Sequence, residues 1–417
     1  MDRFKLIALL SFSILICCSA FNADDSDLKI DIRRLSDRVI VLTAEGFGNS
    51  TVAIASERGI VVIDTNVSPP IAKALREAIS REFERSDFVY TINTHDHGDH
   101  TYGNQVFADT TIIGHDNCVV QMVKGAETLG PTIENYRNAL NRMKARIDSM
   151  DANLEETKAQ ARRHEILTLC VDGWEQGFEP TPPNLTFSDR MSIDLGDMTL
   201  ELIYFGKAHS NNDILVFSPE EGLLLVGDIT SANGSPYIDK DRVADLPRWI
   251  ETLEGALHAK AGIKHIVNGH NNFITLEDME SQLAYIKDQY EYTKDKESFL
   301  PALEKTLDEG GIEAAQRAYD DFKTSAAGKY YFLEKAANGL GYQLLCQEKI
   351  EAAIAVFKMI VDSYPESWNA WDSLGEAYMT HGDTAQAIES YQRSLELNPE
   401  NDNAARQIER MREEKQQ

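Results

Sequence analysis

The sequence predicts an α+β protein in which two β-sheets pack face to face with helices on their outer surfaces, followed by a separate all-α domain. Strand-like and helix-like segments alternate from about residue 28 to about residue 295. From about residue 300 the sequence becomes helical, and residues there repeat at a spacing of 34 positions. Alternating strands and helices bury their apolar faces in layers of sheet and helix, whereas a fixed helical repeat is typical of a stacked array.

The composition sets limits on size and partners. A chain of 417 residues suits two or three domains, and a 42% share of hydrophobic residues allows a sizeable core. The 68 acidic residues outnumber the 41 basic ones, which gives a formal net charge of −27. Because this charge repels phosphate backbones and anionic lipid headgroups, we expect no nucleic-acid partner. The cysteines at 118, 170 and 346 suggest buried thiols rather than a disulfide framework.

Residues 1–20 have the pattern of a cleaved signal peptide. Two basic residues, Arg3 and Lys5, precede an apolar run over 6–17 that is too short to span a bilayer, and small residues follow it. We therefore expect an exported protein, either periplasmic or secreted. A lipoprotein signal, with Cys18 as the lipidated residue, is the alternative.

Four strands are predicted before residue 95, with one helix ahead of the fourth. The strands cover about 39–42, 51–55, 60–64 and 87–93. Ser68, followed by two prolines, predicts a helix that begins with Ser68 as N-cap and ends near residue 84. The fourth strand leads directly into a run of histidines.

A helical insertion is predicted over about 118–170. Apolar residues between Tyr136 and Leu154 recur every three or four positions, which places them on one stripe, and a turn between two helices is expected at 151–153. Packing on the domain and covering a substrate pocket are both possible roles. Strands return over 185–227, followed by a helix near 246–261 and a strand at 264–268.

The region 300–417 contains an internal repeat. Five residues are echoed 34 positions later by residues of the same kind: Leu340, Gly341, Ala353, Phe357 and Pro365 by Leu374, Gly375, Ala387, Tyr391 and Pro399. This period and pattern resemble the tetratricopeptide repeat, in which small residues let two helices approach and an aromatic ring fills the gap. Helices near 312–322 and from 401 are expected to cap the pair. Binding of a protein partner, self-association and simple packing remain open for this domain.

The segment from Thr94 to His100 carries three imidazoles and two carboxylates within six residues, His95, Asp96, His97, Asp99 and His100. The whole chain holds only ten histidines, so this density is not accidental. Imidazole and carboxylate together suit zinc or another borderline divalent metal. Three further candidate ligands, His209, Asp228 and His270, each follow a predicted strand, so they can converge at one rim of a sandwich.

The HxHxDH string over 95–100, with Ala208-His209-Ser210, Gly227-Asp228 and Gly269-His270, resembles the metal motifs of the metallo-β-lactamase superfamily. Gly48-Asn49 and Ile63-Asp64-Thr65 match upstream, and the resemblance covers about 28–295. It implies an αββα sandwich and two metal ions, Zn²⁺ with manganese or iron as alternatives. It assigns His95, His97 and His209 to the first ion, Asp99, His100 and His270 to the second, and Asp228 to both. Asp64 either orients a ligand or is a turn residue.

The implied chemistry is hydrolysis. Two dications lower the pKa of a shared water, so that a bridging hydroxide exists near neutral pH and attacks a carbonyl or ester. Asp99 is the expected catalytic residue, because it can orient the nucleophile or pass a proton to the leaving group. We expect the substrate to be a small molecule with an ester, thioester, lactone or amide bond.

Several alternatives remain at this point. The best-known zinc β-lactamases have a cysteine, or no bridging carboxylate, at the position of Asp228, so this chain is closer to thioesterases and lactonases. β-Lactam hydrolysis, a mononuclear-iron sulfur dioxygenase and a binding scaffold with a vestigial metal site stay as alternatives. His115 is expected to be structural. Residues 231–233, which follow Asp228, are candidates for the substrate pocket.

Overall fold

The computed structural model describes residues 28–231, 245–258, 262–270, 273–324 and 328–414. The predicted signal peptide and Cys18 lie outside these ranges, as do residues 232 and 233. The chain divides into two compact units, with the boundary between 287 and 288. Among the described residues, none of the helices combines the length and the apolar character that crossing a bilayer requires.

The first sheet of the N-terminal unit has seven strands in chain order, β1 to β7. They are β1 (Ile30–Arg34), β2 (Val39–Ala44), β3 (Ser50–Ser56), β4 (Gly59–Ile63), β5 (Phe88–Ile92), β6 (Thr111–His115) and β7 (Leu185–Phe187). The pairs from β1 to β4 are antiparallel and those from β4 to β7 are parallel. Helix α1 (Pro69–Phe83) makes the crossover from β4 to β5, as a parallel pair requires. The carboxyl end of β5 therefore lies at the same edge as that of β4.

The second sheet has six strands in the order β13-β12-β11-β10-β9-β8. They are β8 (Arg190–Asp194), β9 (Thr199–Ile203), β10 (Leu215–Ser218), β11 (Leu223–Gly227), β12 (His265–Asn268) and β13 (Phe273–Ile274). Only β11 and β12 pair in parallel, and α5 (Leu246–His258) lies between them in sequence. The candidate ligands Asp228 and His270 follow these two parallel strands, so the strands deliver them to one edge.

The two sheets share one apolar core. Val52, Ile63 and Ile92 of the first sheet are buried together with Leu202, Leu225 and other residues of the second. Every residue of β2, β4 and β11 is buried, so both faces of each sheet are covered. The apolar face of α1 is buried as well. The α+β sandwich predicted from the sequence is confirmed.

The insertion forms two helices, α3 (Asp116–Asp148) and α4 (Glu155–Glu175), with the turn at the predicted place. Helix α4 packs closely on α1, because a Cβ atom on Gly173 would lie 2.4 Å from Cδ of Pro70. Ser68 occupies the predicted N-cap position of α1, but its hydroxyl bonds to Sγ of Cys170 at 3.3 Å and does not cap the helix. The hydroxyl of Ser68 therefore contacts the insertion and makes no cap bond to the first turn of α1.

The C-terminal unit is helical. Its helices follow α6 (Leu276–Thr293) and are α7 (Leu300–Thr324), α8 (Glu334–Cys346), α9 (Ile350–Ser363), α10 (Trp368–His381), α11 (Thr384–Leu397) and α12 (Asp402–Glu414). A parallel pair of two-residue strands, β14 (Glu297–Ser298) and β15 (Tyr330–Tyr331), precedes the repeats. Helix α7 is longer than the predicted 312–322 and is broken at Gly311, whose φ of 71° is not helical. Cys118 and Cys170 are buried as expected, whereas Cys346 is exposed.

The repeat packs as its residue pattern predicts. A Cβ atom on Gly341 of α8 would lie 2.5 Å from the ring of Phe357 on α9. The equivalent pair one repeat later is Gly375 and Tyr391, with 3.0 Å between the hypothetical Cβ atom and the ring. Each glycine therefore lets one helix rest directly on an aromatic ring of the next.

Candidate metal centre

Four of the seven predicted ligands lie on one short loop after β5. His95 and His97 precede α2 (Gly98–Thr101), a one-turn helix that contains Asp99 and His100. The loop is tightly packed, because a Cβ atom on Gly98 would lie 2.3 Å from Cζ of Tyr102. His95 and His100 are fully buried. The ring of Tyr102 therefore packs directly on the backbone at residue 98, where a side chain would collide with it.

The other three candidate ligands come from the second sheet. His209 follows β9, Asp228 follows β11 and His270 follows β12. Gly269 has no room for a side chain, since a Cβ atom there would lie 2.1 Å from Oδ1 of Asp228 and 2.8 Å from Cε1 of His100. Residue 269 thus has to be glycine, because Asp228 and His100 lie against its backbone and His270 follows it directly.

The structure brings all seven residues together in two groups. One group contains His95, His97, His209 and Asp228, and the other contains Asp99, His100 and His270. Within each group the potential ligand atoms all lie within 4.8 Å of one another. The division between the groups is the same as the one that the sequence resemblance implied.

Asp228 lies between the two groups. Its Oδ2 is 3.7 Å from Nε2 of His209 and 3.9 Å from Nε2 of His95. The same oxygen is 2.9 Å from Nε2 of His270, and Oδ1 is 3.5 Å from Nε2 of His100. One carboxylate therefore reaches imidazoles of both groups, as a bridging ligand must.

The site fits divalent cations. Within the described part of the chain, four buried atoms of these ligands have no hydrogen-bond partner: Nε2 of His95, Nε2 of His100, Oδ1 of Asp99 and Oδ1 of Asp228. Nδ1 of His97 and Nε2 of His209 face each other at 3.1 Å. Buried polar atoms are normally paired, and nitrogen and oxygen donors in this combination are those that zinc and similar metals take.

The surroundings favour neutral imidazoles in the group of His95 and His209, and they favour positive charge at His100 in the other group. Burial, together with the neighbouring imidazoles of His100 and His97, lowers the pKa of His95 well below its usual range. Burial also lowers the pKa of His209, to about 4. For His100 burial acts in the same direction, but the carboxylates of Asp228, Asp99 and Asp64 outweigh it and raise its pKa well above normal. Three carboxylates around one imidazole make a place where positive charge is stabilised.

Asp64 and Thr94 orient two of the ligands. Asp64 accepts hydrogen bonds from the backbone N–H and the hydroxyl of Thr94, at 2.8 and 2.7 Å, and its Oδ2 lies 2.9 Å from Nδ1 of His100. Since the Thr94 hydroxyl gives its proton to Asp64, its oxygen can accept from Nδ1 of His95, 3.1 Å away. Both imidazoles then present Nε2 to the site. Asp64 adopts a φ of 57°, a strained conformation that these contacts hold in place.

Asn49 holds the candidate catalytic residue. Its side-chain amide donates to Oδ2 of Asp99 at 2.9 Å, and both residues are buried. Next to His209, the backbone N–H of Ser210 donates to Asp213, which fixes the loop that carries His209. The roles of Thr94 and Asp213 were not identified from the sequence. The sequence pattern does not reveal these roles, because Thr94 bonds to the distant Asp64 and Asp213 bonds within an irregular turn.

Two other candidates lie outside the ligand groups. His115 is the N-cap of α3, accepts from the backbone N–H of Asn117, and stacks on Tyr204 with 3.8 Å between ring centroids. Ser231 is held by Gln282, whose amide bonds to its backbone N–H and carbonyl at 2.8 and 3.0 Å. His115 thus has the structural role expected of it, and the loop after Asp228 begins from a fixed point.

Comparison with known proteins agrees with this geometry. The family model described as "Metallo-beta-lactamase superfamily" matches residues 44–270, which is more than half of the chain. The chain belongs to the metallo-beta-lactamase superfamily. The superfamily domain is followed by a match to "Tetratricopeptide repeat" over residues 368–401.

The following members of the superfamily share little sequence with this chain. A "Metallo-beta-lactamase type 2" of Bacteroides fragilis is 28% identical over 91 residues, which cover 22% of this chain and 36% of that protein. Among solved structures, a metallo-beta-lactamase from Pontibacter korlensis is 14% identical, with a TM-score of 0.45 over 63% of this chain and 100% of the other. The metallo-beta-lactamase FIM-1 from Pseudomonas aeruginosa is 15% identical, with a TM-score of 0.44 over 64% and 98%. The chain spans about a third of the curated relative's length.

Proposed function

We propose that this protein is a hydrolase that uses two divalent cations, held by the seven residues described above, to cleave an ester, thioester or lactone bond of a small molecule. The observation that carries the proposal is the position of Asp228, whose carboxylate lies within 3.9 Å of four imidazole nitrogens from both ligand groups. His95, His97 and His209 would hold one cation, and Asp99, His100 and His270 the other. Zn²⁺ suits this donor set, and manganese or iron are the alternatives.

When bound, such a cation pair polarises the substrate carbonyl and makes water nucleophilic near neutral pH. The side chains of the chain itself provide position and proton transfer. Asn49 fixes one oxygen of Asp99, and the other oxygen, Oδ1, has no partner among the described residues. Asp99 can therefore orient the attacking water and move a proton to the leaving group. Asp64 and Thr94 keep the imidazoles of His100 and His95 in the required tautomer.

β-Lactam hydrolysis is the second candidate, and the similarity to the Bacteroides fragilis metallo-beta-lactamase favours it. The bridging position of Asp228 supports ester, thioester and lactone substrates instead, since the resemblance assigns a different residue there to the best-known zinc β-lactamases. A chromogenic cephalosporin measured beside ester, thioester and lactone substrates separates the two. Turnover of the cephalosporin alone would reverse the order of these candidates.

The test of the enzyme itself combines metal analysis with turnover. The purified protein should contain about two metal equivalents and hydrolyse at least one substrate of the panel. His97→Ala should lose activity and metal, whereas His115→Ala should retain both, because His115 contacts Asn117 and Tyr204 rather than the ligand groups. Full turnover by His97→Ala would refute the mechanism. Less than one metal equivalent and no turnover would support the scaffold alternative.

Export and partner binding are proposals of the same kind. The pattern over residues 1–20 supports secretion or a periplasmic location, and Cys18 is the residue that a lipid anchor would use. Cys18→Ser should leave the location unchanged if the signal is simply cleaved, and should release the protein from membranes if it is lipidated.

The tetratricopeptide repeat supports interaction with a protein partner or a second copy of the chain.

A further inference from the structure

Four aromatic side chains, Tyr102, Tyr136, Trp174 and Phe178, form a connected group that the catalytic proposal does not use. Ring centroids are 4.8 Å apart between Tyr102 and Phe178, 5.4 Å between Tyr136 and Trp174, and 6.2 Å between Tyr102 and Trp174. The rings come from three segments: the residue after α2, helix α3, and the end of α4 with the loop beyond it. We call this group the aromatic wall.

The aromatic wall lies against the ligand loop. The ring of Tyr102 occupies the space that a side chain at position 98 would need, so it packs on the backbone between His97 and Asp99. Tyr136 joins this layer through Trp174, whose ring centroid lies 5.4 Å from that of Tyr136 and 6.2 Å from that of Tyr102. The wall therefore extends from the ligand loop, through Tyr102 and Trp174, to Tyr136.

The wall is held rigidly from behind. Trp174 is 8% exposed, and its indole Nε1 donates to the carbonyl of Val67 at 2.9 Å. The close contact of Gly173 with Pro70 fixes the end of α4 on α1. Because both the ring and its helix are fixed, Trp174 supports the two tyrosines in one arrangement.

The phenol hydroxyls of Tyr102 and Tyr136 differ from those of three other tyrosines that the structure describes. Tyr204, Tyr319 and Tyr342 donate to a carbonyl or a side chain. The hydroxyls of Tyr102 and Tyr136 have no such partner among the residues that the structure describes, and neither oxygen is fully buried. A neutral phenol that is only partly buried is an available hydrogen-bond donor beside an apolar surface.

We propose that the aromatic wall is the specificity subsite of the enzyme and binds a flat, apolar group of the substrate that carries a hydrogen-bond acceptor. The rings of Tyr102 and Tyr136 contact the flat group, and their hydroxyls donate to the acceptor. Trp174 and Phe178 support the two tyrosines. This inference rests on the proposed hydrolase function, since the wall is described by its position beside Asp99.

The test measures binding and turnover separately on the full-length, zinc-loaded chain. Phenylacetate and acetate serve as probes, with binding followed by isothermal titration. We expect phenylacetate to bind at least about ten-fold more tightly than acetate, because only phenylacetate has a ring for the wall. Replacing both tyrosines, as Tyr102→Phe with Tyr136→Phe, keeps the rings and removes the hydroxyls that would donate to the carboxylate of phenylacetate. Phenylacetate binding should therefore weaken by about ten-fold.

A matched control is Tyr90→Phe, since Tyr90 lies on β5 and packs against the core of the two sheets. Zinc content and the circular dichroism spectrum should be unchanged in every variant, which shows that the fold and ligands are intact. Equal binding of phenylacetate and acetate would overturn the proposal, as would wild-type phenylacetate binding by the double variant. If the preference for phenylacetate holds and no substrate of the panel is hydrolysed, the hydrolase function fails while the subsite stands.

Discussion

At the scale of single residues, the site depends on side chains that hold the ligands as much as on the ligands. Asp64 contacts both the backbone and the hydroxyl of Thr94, and through them it controls His95 as well as His100. One carboxylate on a strained residue thus sets the tautomer of one imidazole in each ligand group. This explains why an aspartate follows the buried strand β4, where an apolar residue or a glycine would otherwise be expected.

Asp64→Asn should weaken metal binding without unfolding the protein. The amide keeps the size of the side chain but loses the charge that favours Nδ1–H of His100, so we expect metal affinity to fall about 10-fold to 100-fold. Titration with a competing chelator measures this affinity. Asp194→Asn is the control, because Asp194 forms an exposed ion pair with Arg58 and should leave affinity unchanged. Equal metal affinity in Asp64→Asn and the wild type would contradict the orienting role.

Much of the ligand set could be predicted at this scale, but the residues around it could not. Histidines and aspartates at strand ends are visible in the sequence because metals need those donors. Asn49 belongs to a motif that matches the superfamily, but its hydrogen bond to Asp99 spans 50 positions, and the one between Thr94 and Asp64 spans 30, so no local pattern reveals either role. Ser68 is the N-cap residue of α1 as predicted, but its hydroxyl bonds to Cys170 of α4, a tertiary contact that the local pattern does not reveal.

At the scale of elements, the helical unit shows how one atom controls helix packing. Gly341→Ala should destabilise the unit, because its new Cβ atom would lie 2.5 Å from the ring of Phe357 and force α8 away from α9. Overpacking of this kind costs about 1–3 kcal/mol, which exceeds the gain of about 1 kcal/mol in helix propensity. Denaturant unfolding, followed by circular dichroism, measures the free energy of unfolding.

The matched control for this change is Gly125→Ala on α3. A Cβ atom there would meet no heavy atom within 4 Å, so only the propensity gain remains and stability should rise slightly. If Gly341→Ala were as stable as Gly125→Ala, the close contact between α8 and α9 would not limit stability. The comparison isolates packing from propensity, because both substitutions are the same and both lie inside helices.

Helix α10 carries a partly buried acid, Glu376, whose negative charge opposes folding. Burial and the nearby Asp372 raise the pKa of Glu376, although the hydroxyl of Tyr342 donates to it at 2.9 Å. A folded pKa above the unfolded value means that the native state binds more protons, so the charge costs stability at high pH and costs nothing below the unfolded pKa. Ionised Glu376 therefore destabilises the folded state most at a pH above its raised pKa.

Glu376→Gln should consequently slow hydrogen–deuterium exchange in peptides of α10 and α11 at pH 8, since glutamine keeps the acceptor for Tyr342 and removes the charge. The difference from the wild type should shrink as the pH falls toward the usual pKa of glutamate. Measurement of the full-length chain and the variant at each pH cancels the intrinsic pH dependence of exchange. Faster exchange in the variant at pH 8 would show that the charge is stabilising instead.

At the scale of the whole molecule, the α+β sandwich and the helical repeats were predictable because both depend on periodic patterns. Buried strands, turns and a repeat of 34 residues are repeated signals that tertiary contacts reinforce. The kink at Gly311 and the length of α7 were not predictable, because a glycine pair inside a helical pattern does not show whether the helix ends or continues.

Metal removal should lower the stability of the superfamily domain. The two ligand groups draw on both sheets, and a cation that binds only the folded state adds about 4 kcal/mol at a concentration of 1,000 times Kd. For a domain of this size that corresponds to a fall in Tm of about 10 °C on chelation. Differential scanning calorimetry with and without chelator measures it. His97→Ala should show a smaller fall, and an unchanged Tm of the wild type on chelation would contradict metal binding.

The seven ligands come from four stretches of chain, and the last of them, His270, follows the first, His95, by 175 positions. A ribosome therefore completes the early cluster long before the other stretches exist, and that cluster alone completes neither ligand group. Both groups are complete only when the second sheet has docked on the first. If the proposed metal binding and export both hold, the metal is therefore selected in the compartment where the chain folds and not in the one where it is synthesised.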